Sequence, residues 1–521
     1  MSGLVRVICV AFLFFNYETN AAKILAVFPS PSISHQVVFQ PLTRELARRG
    51  HDLTVITTDP AFTKENISNL REIDVHDVSY NNNFKEEFVE QEKFGEKSNI
   101  FNQIIHAMSL MLNVTTLQIK VDEIQNLINN KDTKFDLLLI EAWTRHALIY
   151  SHIFKAPVIL TSSFGLMIGN DENLGVPMHP ILYPMAIQQR LYNLTFWEKF
   201  DMLYKDWWFR RQWFSREMNE IDHYRNLLGR YIPPYNELRN NVDMLFLNSH
   251  PVWMGNQPLP PNVISIWGIH KKPDKELPKD LQDYLDSSKH GVIYVSFGTN
   301  APSCYLASHF IELLKRVLSK LPYDVLWKWE KDELPGKSQN IRISKWLPQY
   351  DLLNHPKIKL FITQGGLQST DEAINAGVPL IGIPMLGDQW YNVEKYLYHG
   401  IGVKLDMETV TDKELETAID NVIRDKSYRE NIIRLRTIMS DQPESALDRA
   451  VWWTEYVLRH GGAKHLRAAA ANMPWTQYYE IEFVLQLLLI ACTLLTIPII
   501  VLYSLWKYYV CDKVDKKSKT S

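Results

Sequence analysis

A chain of 521 residues exceeds what one hydrophobic core organises, and 46% hydrophobic with 22% charged residues excludes a solvated coil. The net charge of −3 excludes the basic field on which nucleic-acid binding depends. Two domains with appendages are the expectation.

The first element is a leader. Arg6 precedes the apolar run Val7 to Phe15, and the small residues Ala21 and Ala22 come before the strand-like KILAVFP. That pattern is a secretory signal peptide, residues 1–22, cleaved near Ala22. Residues 23–250 then alternate helical stretches with the strand-like runs KILAVFP, HDLTVITT, FDLLLIEA, APVILTSS and DMLFLNSH. Continuous apolar runs of this length belong to parallel strands covered on both faces, so this half reads as an α/β domain. Within it, residues 191–235 carry Trp197, Trp207, Trp208, Trp213 and Tyr224 among charges. They are either aromatics packed on the domain or an insert that touches acceptor or membrane.

A Pro-rich stretch, 251–278, reads as a linker, densest at QPLPPNV. Residues 279–460 repeat the α/β theme with GVIYVSFG, YDVLWKWE, IKLFITQ, VPLIGIPM and GIGVKL. Two doubly wound domains facing a cleft follow, with ligands beyond the carboxyl ends of the strands. Residues 461–482, including the Ala-rich KHLRAAAANMPWTQYY, are helix-prone and form a spacer. The next segment, Phe483 to Trp506, has 24 residues without a charge, enough to cross about 30 Å of hydrocarbon as a helix.

Lys507, Lys513, Lys516, Lys517 and Lys519 follow, which places the tail 507–521 in the cytosol and the body across the membrane, a single-pass type I arrangement. Lys517 and Lys519 in KSKTS resemble the retrieval signals of endoplasmic-reticulum membrane proteins. N-x-[ST] sequons at Asn66, Asn113 and Asn193 all fall in the portion read as luminal. Of the four cysteines, Cys9, Cys492 and Cys511 lie in leader, span and tail, and Cys304 alone remains in the body, so no intrachain disulfide or Cys-based metal site is expected there.

In FITQGGLQSTDEAINAGVP, Phe361 to Pro379, an apolar strand breaks at Gly365 and Gly366 and resumes as a helix. Such a turn leaves helix N-terminal amides unpaired at the positive end of the macrodipole and suits a phosphate. Before it stands WLPQYDLLNHP, Trp346 to Pro356, and after it PMLGDQWYN, Pro384 to Asn392. Together these motifs resemble the signature of the UDP-glycosyltransferases, closest to the invertebrate microsomal members, and the resemblance runs the length of the chain. It implies a GT-B fold of two Rossmann-like domains, with the first, 23–250, binding acceptor and the second, 279–460, binding the UDP-sugar.

By the same resemblance Trp346 stacks on uracil and Gln349 bonds near the base. Glu372 takes the ribose hydroxyls. Gly366, Gln368, Ser369 and Thr299 hold the diphosphate, and Asp388 and Gln389 bind sugar hydroxyls. Gln364 stands where many relatives have a phosphate-contacting His; it keeps a neutral N–H donor and cannot become cationic.

His35 in PSPSISHQVVF matches the family's general base, and Glu141, one methylene longer than the usual Asp, matches its partner. Taken alone, His35 reads as a surface or capping residue, and Glu141 as a strand cap or a partner of Arg145. His146 reads as an acceptor-side contact or as nothing, and Asp136 as too far from the cleft.

The implied activity is inverting transfer of a hexose, most simply glucose, from a UDP-sugar co-substrate to a hydroxyl of a small lipophilic acceptor. No further cofactor and no metal are expected, and a homo- or hetero-oligomer is left open. The rival readings are a catalytically silent binder of UDP and a lipophile, and a glycosyltransferase acting on a membrane lipid.

Overall fold

The computed structural model describes residues 21–62, 65, 67–80, 95–96, 100–273 and 275–518. The leader up to residue 20, the sequon at Asn66 and Lys519 lie outside the described residues.

The apolar runs become two parallel sheets. The first contains β1 (Lys23–Phe28), β2 (Asp52–Thr57), β3 (Leu70–Asp74), β4 (Leu137–Glu141), β5 (Val158–Ser162), β6 (Val242–Leu247) and β7 (Val263–Ser265), in the order 3-2-1-4-5-6-7. The second contains β8 (Val292–Ser296), β9 (Asp324–Lys328), β10 (Ile341–Ser344), β11 (Ile358–Thr363), β12 (Leu380–Gly382) and β13 (Gly402–Lys404), in the order 10-9-8-11-12-13. Every residue of β4 and of β8 is buried, as helices on both faces require. Strand order reverses between β1 and β4 and between β8 and β11, and these crevices are where ligands sit in doubly wound sheets.

β7 lies inside the stretch read as a linker and pairs with β6, so the first sheet continues to Ser265. A three-residue edge strand between prolines has too few positions to show periodicity. β3 (LREID) and β10 (IRIS) are broken by charged residues and form no continuous apolar run, so they too are not apparent in the sequence.

The helices that matter below are α1 (Ile33–Arg48), α2 (Ile100–Ile119), α3 (Phe196–Ser215), α4 (Glu217–Leu228), α5 (Leu367–Ala376), α6 (Gln389–His399), α7 (Ala446–His460) and α8 (Ile481–Ser518). α7 falls within 279–460 yet packs on the first sheet. Its Ala450, Val451 and Val457, with Ala463, share one core with Ile24, Phe39, Leu46 and Phe246. Glu455 on the same helix accepts from Arg49 Nε at 2.6 Å and Nη2 at 3.1 Å. An amphipathic pattern shows that one face is buried, not against which sheet.

The spacer is not one helix. It forms a 3₁₀ turn, Lys464–Leu466, and a single helical turn, Trp475–Tyr478. Between them Ala468 and Ala471 press so closely on Gly175 that no Cβ fits there, and the Asn472 amide donates to the Glu172 carbonyl at 2.8 Å. That close approach of small residues wins over the helix propensity of an alanine run.

α8 contains an apolar stretch, Ile481–Val510, with a mean hydropathy of 2.6 and none of its most apolar window buried. It is long and apolar enough to cross a membrane. α2 meets the same length and composition test at a hydropathy of 1.2, but half of it is buried, and it serves as a core helix.

Val457→Asp places an unpaired charge in the core that α7 shares with β1, and should lower the stability of that unit by about 4 kcal/mol or more. In hydrogen exchange, protection falls in β1, β2 and α1 and is retained in β8 and β11.

Candidate active site

β1 and β4 are neighbours, so the loop after Phe28 and the end of β4 meet at the first switch point. His35 stands in the first turn of α1, and its Nδ1 lies 2.6 Å from Glu141 Oε1. Glu141 is buried, and its other oxygen accepts from the Ser30 amide at 3.1 Å and the Thr144 hydroxyl at 3.3 Å. The carboxylate is therefore fixed by three donors, and the longer side chain still reaches the imidazole. The His35 ring meets Phe164 edge-on at 5.4 Å, and its side chain keeps 15% exposure, enough to face a bound molecule.

Arg145 does not compete for Glu141. It forms a bidentate pair with Glu220 of α4 at 2.6 and 2.8 Å and donates to the Trp213 carbonyl. His146 is buried with its Nε2 3.4 Å from Glu220, and desolvation lowers its pKa. Asp136 accepts from the Lys23 amide at the opposite end of the sheet.

On the second domain the expected donor residues sit beyond the carboxyl ends of β8, β10, β11 and β12. Gly365 has φ 91° and lies so close to Val393 that a side chain would collide, and Gly366 caps α5. A helix that starts directly after two glycines leaves its first-turn amides without intrahelical partners, the arrangement a phosphate suits. The Gln364 amide reaches over Gly298, where a Cβ would strike its Nε2, and lies near Gly366 as well. It bridges the two glycine turns, beside Thr299.

Gln349 knits a second group: its Nε2 donates to Glu372 Oε2 at 2.7 Å and Ser369 Oγ at 3.0 Å, and its Oε1 accepts from the Tyr294 hydroxyl at 2.9 Å. Burial pushes the Glu372 carboxyl up to about 7, against the Gln349 bond. Trp346 is 60% exposed, with its ring surface open for stacking.

Asp388 and Gln389 begin α6. Asp388 accepts from Asn392 Nδ2 at 2.8 Å, and burial pushes its carboxyl up to about 6, with the facing His35 pulling it down. Gln389 Oε1 accepts from the Met385 and Leu386 amides, each at 2.9 Å, which leaves its NH₂ to serve a ligand.

Gln368 is the exception. Its Nε2 donates to the Ser163 carbonyl of the first domain at 2.8 Å rather than facing the turn at Gly366. Between the domains a buried carbonyl is the nearest acceptor for that amide. Ser32 and Asn300 form a second bridge across the cleft, at 3.3 to 3.4 Å.

A cavity of about 540 Å³ joins the halves. His35, Thr299, Asp388 and Gln389 line it together; Gln349, Ser369 and Glu372 form a hydrogen-bonded group outside it, and Trp346, Gln364, Gly366 and Gln368 do not line it. Most of its wall is apolar and comes from α2, through Ile104, Ala107, Leu110 and Met111, with Trp143, Phe164 and Met167. Sequence reasoning missed these residues, along with Ser32, Asn300 and Tyr294. The one available signal was the unusual apolarity of α2. Among the described residues no group of three or more His, Cys, Asp or Glu is placed to hold a metal ion.

A model of the family described as "UDP-glucoronosyl and UDP-glucosyl transferase" matches residues 22–519. An ecdysteroid UDP-glucosyltransferase of Spodoptera littoralis nuclear polyhedrosis virus is 34% identical over 91% of this chain and 95% of its own. UDP-glucosyltransferase 2 of Dactylopius coccus is 32% identical over 96% of each chain, and human UDP-glucuronosyltransferase 2B15 is 30% identical over 96% of each. A solved structure described as the glycotransferase of kitacinnamycin superposes with a TM-score of 0.53 at 17% identity, covering 85% of this chain and 99% of its own, which supports the two-domain GT-B fold. With the signature residues gathered at the ends of the parallel strands, the chain belongs to the UDP-glucuronosyl and UDP-glucosyl transferase family.

Proposed function

We propose that this chain transfers glucose from UDP-glucose to a hydroxyl of a lipophilic small molecule, with inversion, from the lumen of the endoplasmic reticulum, to whose membrane α8 anchors it. The observation that carries the reading is the one cavity in which His35, held by Glu141, faces Asp388 and Gln389 beside a mostly apolar wall.

Glu141 accepts a hydrogen bond from His35 Nδ1–H, which leaves the lone pair on Nε2 for the acceptor hydroxyl. Nε2 takes that proton as the acceptor oxygen attacks the anomeric carbon. The bond from that carbon to the diphosphate breaks on the opposite face, and its electron pair leaves with UDP. Glu141 stabilises the imidazolium. The amides at the N-terminus of α5, the Gln364 NH₂ and the Thr299 hydroxyl are suited to the charge that gathers on the diphosphate. Backbone and neutral side-chain donors of this kind are the basis for expecting turnover without a metal ion.

The choice of glucose over glucuronate rests on charge. No Lys or Arg is among the described residues that line the cavity, and a sugar carboxylate there would meet Asp388. The neutral hydroxyls of glucose offer Asp388 a donor instead. The apolar wall suits a lipophilic acceptor, and a cavity of this volume is within the usual range for small-molecule sites.

UDP release by microsomes bearing the full chain, with a panel of phenols and alcohols, should be faster with UDP-glucose than with UDP-glucuronate and unchanged by EDTA. Equal rates would remove the charge argument, and UDP binding without turnover on either donor would favour the silent binder. His35→Ala should lower kcat/KM by about 10² to 10⁴-fold. Glu141→Gln, which keeps length but not charge, should lower kcat by about 10²-fold or more.

UDP binding should also depend on pH. Glu372 offers the ribose two acceptor oxygens only when ionised, so UDP binding should weaken as pH falls through about 7. Calorimetric titration of Glu372→Gln should remove this component and leave only the titration of the nucleotide itself.

A further inference from the structure

Trp253 and Trp267 stand in the Pro-rich stretch 251–278 that carries the chain from one sheet to the other, and both are buried. An indole N–H only donates, so each needs an acceptor. Trp253 Nε1 donates to Asn392 Oδ1 of α6 at 3.1 Å, and Trp267 Nε1 donates to Asp371 Oδ1 of α5 at 2.7 Å. These are the two helices that bear the residues expected on the donor: Asp388 and Gln389 at the start of α6, and Gly366, Ser369 and Glu372 at the start of α5.

The bond from Trp253 fixes which way the Asn392 amide points. Its NH₂ donates to the Gly365 carbonyl at 2.9 Å and to Asp388 Oδ2 at 2.8 Å. A turned amide would set NH₂ against the indole N–H, donor against donor, so the indole admits only the orientation that serves the glycine turn and Asp388. The peptide after Gly365 is trans, so a donor on its carbonyl leaves the Gly366 N–H directed to the opposite side and strengthens it as a donor. The Trp253 ring also stacks on His399, further along α6, with centroids 5.6 Å apart.

The bond from Trp267 closes a circuit. Its neighbour Gly268 donates its amide to Asn248 Oδ1 at 3.3 Å, Asn248 Nδ2 donates to the Ser163 carbonyl at 3.3 Å, and that carbonyl also accepts from Gln368. Gln368 and Asp371 lie a turn apart on one face of α5, which is therefore gripped at both ends of that turn. The Lys271 ammonium covers the Trp267 ring, 3.9 Å from its centre, and His250 meets the ring edge-on at 5.3 Å. Asp371 is buried, its Oδ2 has no hydrogen-bond partner among the described residues, and burial pushes its carboxyl up to about 8. Without the indole both oxygens would be buried and unpaired, and the turn that carries Ser369 and Glu372 would have to shift to relieve them.

We propose that Trp253 and Trp267 are positioning residues of the donor site, Trp253 acting through Asn392 on Gly365 and Asp388, and Trp267 acting through Asp371 on the turn of α5 that carries Ser369 and Glu372. The inference rests on the reading of α5 and α6 as the donor-binding helices. Because both indoles belong to the segment that joins the two sheets, the set of that segment reaches the sugar nucleotide directly. Donor affinity then depends on how the two halves of the chain stand to each other.

The test is calorimetric titration of the detergent-solubilised full chain with UDP and with UDP-glucose, beside Trp253→Phe and Trp267→Phe, which keep an aromatic ring and lose the N–H, each with its melting temperature. Trp267→Phe should raise Kd for both ligands by about 3- to 10-fold. Trp253→Phe should raise Kd for UDP-glucose by about 3-fold or more beyond its effect on UDP, because Asp388 is expected on the sugar and not on the nucleotide. Asp371→Asn keeps an oxygen for the indole and should bind UDP as the unaltered chain does, whereas Asp371→Leu should match Trp267→Phe. Lower melting temperatures with unchanged Kd values in both indole variants overturn the inference, since a merely structural role loses stability and not affinity. Equal loss in Asp371→Asn and Asp371→Leu overturns it as well, by removing the indole bond as the cause. An unaltered chain that binds UDP and not UDP-glucose overturns the glucose reading alone, and the Trp267 and Asp371 comparisons on UDP then decide the inference. No binding of UDP by the unaltered chain overturns the reading of α5 and α6, and the inference with it.

Discussion

The parallel strand is the constraint on which the rest depends. Parallel pairing sends every carboxyl end to the same edge, so residues distant in the chain arrive together without being steered individually. β1 and β4 bring Ser30 and Glu141 side by side, and β8 and β11 do the same for Gly298 and Gly365. Each pair flanks the place where strand order reverses. The His35–Glu141 pair forms at one reversal and the two glycine turns meet at the other, and the cavity between them is what remains when the two edges face.

Electrostatics at that cavity and in the neighbouring group around Gln349 follow from burial. Desolvation lifts the carboxyls of Glu372 and Asp388 toward neutrality, and each is opposed by one amide donor, Gln349 or Asn392. Glu141, by contrast, is satisfied by a backbone amide, a hydroxyl and the imidazole. The difference separates carboxyls suited to take hydroxyl donors from a ligand from one that is already fully engaged in orienting a side chain.

Much of the fold and part of the site are legible in the sequence, and the division has physical reasons. Five continuous apolar runs in each half become β1, β2, β4, β5 and β6, then β8, β9, β11, β12 and β13, because burial on both faces leaves an unbroken signal. Residues fixed by local backbone, such as Gly365, Gly366 and His35 after its strand, stand where their motifs suggest. What escapes depends on partners remote in the chain. Nothing near Gln368 indicates that its amide would find the Ser163 carbonyl, and nothing in α7 indicates that its apolar face belongs to β1's sheet. Ala468 to Ala471 read as helix because the Gly175 surface that receives them is some 300 residues away, and local propensity carries no information about it. The apolar cavity wall on α2 is hidden for a related reason: residues that face a cavity and residues that face a core have the same composition.

The return of α7 to the first sheet has a mechanical consequence. The chain passes from the first domain to the second after β7 and comes back before α7, so two strands of backbone join the bodies instead of one. A body hung from two pivots swings about the line through them and resists twisting. Any opening of the cleft would turn about that line, and the bonds from Gln368 to Ser163 and between Ser32 and Asn300 would part along a single arc.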